Sequence, residues 1–74
     1  MLDNFNLDIV QRAARDGGLI EAIVNLCEEK GIWDFEDVVE LLDPIVLEKL
    51  KMEFYLRNYI PEKKIDNSLK RFFE

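Results

Sequence analysis

The chain has 74 residues, 49% of them apolar and 35% charged, which allows one domain with a thin core and excludes a disordered acidic tail. Its net charge of −6 is uneven: residues 1 to 47 carry eleven acids against Arg12, Arg15 and Lys30, a balance of −8, whereas residues 48 to 74 carry seven bases against five acids, a balance of +2. An acidic body of this kind repels phosphate backbones, so no direct DNA binding is expected. The single cysteine, Cys27, excludes an internal disulfide and reads as a small buried hydrophobe. No apolar run approaches the length of a membrane span, and no basic n-region marks a signal peptide, so no membrane role is expected.

Taken in chain order, the pattern is helical nearly throughout, with no sustained alternation of the kind that marks a strand. Asn6 can cap a first helix with Val10, Ala13 and Ala14 on one side, stopped by Gly17-Gly18. A second helix runs from Leu19 to Lys30, with Leu19, Ile20, Ile23, Val24, Leu26 and Cys27 as a wide apolar stripe and Gly31 as its left-handed terminator. Asp34 has the character of a cap for a short third helix ending near Leu42, and Trp33 with Val38 has the spacing of a hydrophobic staple. Asp43-Pro44 then restarts the chain as cap and first helical residue. The fourth helix, Pro44 to Asn58, places Leu47, Leu50 and Phe54 on one face, with Val46 and Leu56 widening it, and sets Lys49 with Glu53 and Glu53 with Arg57 at i,i+4. Ile60-Pro61 breaks it. The expected fold is all-α, a small irregular bundle of three to four short helices with a C-terminal helical tail.

Catalytic chemistry finds no foothold in this composition. There is no histidine, so Cys27 lacks any histidine partner, and the only serine, Ser68, lies in the tail. The acids Asp34, Glu36 and Asp37 lack the glycine and the spacing of a calcium loop, and Gly17-Gly18 alone does not cradle a phosphate. Neither an enzyme nor a cofactor nor a metal site is expected. What the sequence does offer is apolar surface for a protein partner. Part of the set Ile20, Ile23, Val24, Leu42, Ile45 and Phe54 is expected to surround an apolar element of that partner, with Trp33 and Phe35 at its rim.

The C-terminus, Ser68-Leu69-Lys70-Arg71-Phe72-Phe73-Glu74, sets Leu69, Phe72 and Phe73 at i, i+3 and i+4. One turn of helix brings all three to a single side, either to close the bundle or to fill a pocket on a partner. This ending resembles the short motifs by which proteins attach to the sliding clamps of DNA replication, with Asp66 where many such motifs carry glutamine and Lys70-Arg71 where phage versions tend to be acidic. The preceding body, in Leu19-Ile20-Glu21-Ala22-Ile23-Val24-Asn25-Leu26-Cys27-Glu28-Glu29-Lys30-Gly31, in Phe35-Glu36-Asp37-Val38 and in Leu41-Leu42-Asp43-Pro44 with Leu47-Glu48-Lys49-Leu50-Lys51-Met52-Glu53, resembles the late-transcription coactivators of T-even-type myoviruses and cyanophages.

The resemblance implies a non-catalytic adaptor in the cytoplasm of the infected bacterial host. Its helical body, residues 1–60, would bind the flap of the host RNA polymerase β subunit through Ile20, Ile23, Val24, Trp33, Phe35, Leu42, Ile45 and Phe54. A charged linker, 61–67, would carry a clamp-binding motif, 68–74, in which Leu69, Phe72 and Phe73 grip the phage sliding clamp. A phage sigma-like late factor would share the complex, and no direct contact with DNA would be needed. The alternative is a small protein inhibitor of RNA polymerase or of a toxin, in which the aromatic tail is part of the core; a helix-turn-helix DNA reader ranks third because of its charge.

Overall fold

The computed structural model describes residues 2–74, and its chain runs through α1 (Asn4–Asp16), α2 (Leu19–Lys30), α3 (Glu36–Val39), α4 (Pro44–Arg57) and α5 (Lys64–Phe73). The all-α bundle expected from the periodicity is what forms. The start of α1 differs from expectation: Asp3 is the cap, its carboxylate accepting the N–H of Asn6 at 2.8 Å. Asn6 is buried instead, and its amide has both a donor and an acceptor to use. Its Nδ2 donates to the Leu41 carbonyl at 3.0 Å, and its Oδ1 accepts the N–H of Asp43 at 2.8 Å. One side chain thus fastens α1 to the turn that launches α4.

The N-terminus of α2 follows Gly18, which has no side chain to cap it. Glu53 of α4 does so from across the bundle, accepting the N–H groups of Leu19 at 3.0 Å and Ile20 at 3.2 Å. A Cβ on Gly18 would fall 2.5 Å from Glu53 Oε1, so the glycine makes room for the cap. At the other end Gly31, with φ of 69°, takes the left-handed conformation that closes α2.

Between α2 and α4 the chain departs from expectation in two places. Trp33 forms no staple, being 53% exposed; the buried ring is Phe35, which meets Phe72 and Phe73 at centroid distances of 5.1 and 5.7 Å. α3 is a single turn, and the chain passes Leu42 as turn and bend. The Asp34 carboxylate accepts the N–H of Glu36 at 3.1 Å, as a cap does. In α4, Pro44 is the first residue, Asp43 accepts the N–H of Ile45 at 2.9 Å, and Asn58 ends the helix with φ of 53°.

Residues 64–67, expected in the linker, belong to α5. The reason is Asp66, whose Oδ2 accepts the N–H groups of Glu62 at 3.1 Å and Lys63 at 3.0 Å and so caps the helix from within its first turn. The core unites Ile9 of α1, the inner face of α2, Phe35, Val38 and Leu42, the side of α4 that carries Val46, Leu50 and Phe54, and Ile65, Leu69 and Phe73 of α5. Each such aliphatic or aromatic side chain contributes roughly 1.5 to 3 kcal/mol by leaving water.

Candidate protein-binding surface

α4 is apolar on two sides. Val46, Leu50 and Phe54 face the core, whereas Ile45, Met52 and Leu56 stand in solvent. At 100° per residue those last three fall within a wedge of about 40°, well apart from the buried set. Leu56 is 82% exposed, so it does not widen the core face as its sequence position suggested. Pro44, Ile45, Glu48, Lys49 and Met52 line a shallow apolar groove along this outer side. An apolar strip left uncovered on so small a protein is characteristic of a contact surface.

The helix is held so that this strip keeps its direction. Arg57 reaches Glu21 of α2 at 2.6 Å and Glu53 of its own helix at 3.0 Å. Hydrogen bonding from Arg57 holds the Glu21 carboxyl below its ordinary value, and the same contacts, to Glu21 first and then Glu53, raise the pKa of Arg57. Glu53 therefore serves α2 and Arg57. No ion pair joins it to Lys49 among the described residues. Lys49 is left beside the apolar strip.

Of the eight residues expected to meet polymerase, Trp33 and Ile45 are on the surface, while Ile20, Ile23, Val24, Phe35, Leu42 and Phe54 are in the core. The bundle closes on them more fully than composition implied, because α5 covers Phe35 and Phe54. Met52 and Leu56 were missed as surface candidates. Their signal was present as the i, i+7, i+11 spacing of Ile45, Met52 and Leu56, hidden because α4 is apolar on two sides at once.

The three tail residues do not share one environment. Leu69 is fully buried and Phe73 nearly so, its ring 5.3 Å from that of Phe54, whereas Phe72 is 38% exposed. Tyr55 donates its hydroxyl to the Phe73 carbonyl, and Ser68 Oγ accepts the N–H of Phe35 at 2.7 Å while donating to Asp34 at 3.2 Å. Asp66 is buried beside Tyr59, whose phenol is pushed up by burial and then by that carboxylate.

Burial pushes the Cys27 thiol up to about 11, where it is a poor nucleophile at neutral pH. Among the described residues no group of three or more His, Cys, Asp or Glu could hold a metal ion, and no helix is long and apolar enough to cross a membrane.

The family model described as phage late-transcription coactivator matches residues 2–70, from α1 through most of α5. The chain belongs to that family. No curated protein and no solved structure matches it. Membership makes the chain a regulatory protein of phage late transcription. Leu69 lies within the match; Phe72 and Phe73 lie beyond it.

Proposed function

We propose that this coactivator is a non-catalytic adaptor in the cytoplasm of the infected bacterial host, joining host RNA polymerase to the phage sliding clamp. Polymerase, through the flap of its β subunit, is met by the exposed apolar strip that begins at Ile45, with Trp33 as a further contact. The clamp is gripped by Leu69, Phe72 and Phe73, in a complex that also holds a phage sigma-like late factor. The observation that carries this reading is an uncovered apolar face on a member of a coactivator family. Tethering two machines raises their effective concentration for one another, so each contact can be modest on its own, and the acidic body needs no DNA contact.

Substituting the strip tests the polymerase half. Ile45→Ser with Leu56→Ser should leave thermal stability within about 0.5 kcal/mol, because both side chains are in solvent. Retention of purified polymerase on the immobilised protein should fall at least tenfold. Unchanged retention would move the polymerase contact elsewhere.

The inhibitor reading draws support from one observation, the burial of Leu69 and Phe73, which suits a tail that closes the fold. Family membership favours activation. Run-off transcription from a late promoter with added protein discriminates them, since an adaptor raises clamp-dependent initiation and an inhibitor lowers it.

A further inference from the structure

The side chains proposed to grip the clamp are also the side chains that seal the core. Phe73 lies between Phe54 and Phe35 at 5.3 and 5.7 Å, and Leu69 is fully buried, so in the docked arrangement no pocket on another protein can take either. Only Phe72 is within reach of a partner while α5 is in place.

We propose that α5 is a latch that masks its own anchor: Leu69 and Phe73 are delivered to the clamp only from molecules in which α5 has swung away from the body. This inference rests on the clamp reading given above and adds its regulation.

Three features of the fold suit a helix that leaves. The polar ties of α5 to the body are few and lie at its ends and middle: Tyr55 to the Phe73 carbonyl, Ser68 to Phe35 and Asp34, and Lys63 to Glu28 at 2.5 Å on the exposed surface. Docking also carries a cost, since Asp66 is 2% exposed and its Oδ1 accepts no hydrogen bond among the described residues, the kind of desolvated oxygen that regains water on release. Finally, residues 58–63 between α4 and α5 form no helix; they begin at Asn58 in the left-handed conformation and include the exposed Ile60, so α5 can pivot there without unwinding α4.

The consequence is quantitative. When the competent state is only a fraction of the population, apparent affinity falls by that fraction, and any change in the body that loosens the latch tightens clamp binding without touching the anchor. This is the reverse of what a contact residue does when it is removed.

The test compares three species on immobilised phage sliding clamp: the full chain, the full chain with Tyr55→Phe, and a peptide of residues 64–74, which serves as a ligand and needs no fold of its own. Tyr55→Phe removes one tie on the body side, so it should bind the clamp about threefold to tenfold more tightly than the parent. The peptide should bind more tightly still. Hydrogen exchange supplies a second readout: at saturating clamp, the Phe35 amide, held by Ser68 in the docked state, should lose protection. Equal affinities for all three species, or a Phe35 amide that stays protected in the complex, would overturn the latch while leaving the clamp reading intact. A peptide that fails to bind would overturn the clamp reading, and the latch with it.

Discussion

Glu53 in α4 accepts the main-chain N–H groups of both Leu19 and Ile20, so the cap of α2 is supplied 34 and 33 residues away in sequence. Gly18 makes this possible by leaving space where a side chain would stand. Glu53→Ala removes the acceptor from two N–H groups and the partner from Arg57. It should destabilise the fold by about 1 to 2 kcal/mol, in the range of a lost helix cap. Thermal melting followed by circular dichroism measures this, and Glu53→Gln, which keeps one acceptor oxygen, should lose less.

Acid should loosen the α2–α4 contact. Hydrogen bonding from Arg57 holds Glu21 below its ordinary value of 4.5, so the carboxylate is favoured in the folded state. Stability from a lowered carboxylate is fully present above the unfolded value and is lost as pH falls through the folded one. Asp3 and Asp16 shift the same way, through hydrogen bonds from Asn6 and Arg15 respectively. The expected melting temperature is flat from about pH 7 to about pH 5 and declines below about pH 4. Glu21→Gln should make that decline shallower. An unaltered slope would show that Glu21 does not contribute to it.

The two aromatic residues at the end of α5 should behave differently when truncated. Phe73→Ala leaves a hole between Phe35 and Phe54 and should cost roughly 3 to 5 kcal/mol. Phe72→Ala removes a ring that is partly in solvent and packed edge-on against Phe35, so a loss below about 1.5 kcal/mol is expected. Urea titrations of the two variants give the comparison directly; equal losses would contradict the burial difference.

Cys27 should resist thiol reagents in the native protein. Its side chain is fully buried and its thiol is pushed up to about 11, so both access and thiolate are lacking. Labelling with a chromogenic disulfide at neutral pH should proceed only as fast as the domain opens, and at once in denaturant.

Local chemistry made much of this fold legible. Pro44, Gly31 and Asp43 each carry a conformational or capping preference that acts within a few residues, and α2 has the bounds its stripe and terminator imply. What could not be read was long-range choice. Nothing local distinguishes Trp33 from Phe35 as the ring that turns inward; that depends on Phe72 and Phe73 arriving from the far end of the chain. The same holds for Asn6, whose partners at Leu41 and Asp43 are 35 and 37 residues distant. For the candidate surface, the core face of α4 was legible in Leu47, Leu50 and Phe54 with Val46, but the outward strip of Ile45, Met52 and Leu56 was masked because the helix is apolar on two sides. The grouping of Leu69, Phe72 and Phe73 was legible as a helical turn, but not that two of them would point to the core.

The outer strip of α4 is apolar and uncovered, and apolar contact is non-directional, so a second copy of the same chain could cover it as well as a partner could. Ile45, Met52 and Leu56 would pair readily with their counterparts if two molecules met with these helices facing. What stands against that encounter is the molecule's net charge of −6, the −8 of the first 47 residues being only partly offset by the +2 of the rest. These acids act as colloidal protection, holding copies apart over about 10 Å at 0.1 M salt and over progressively less as salt rises.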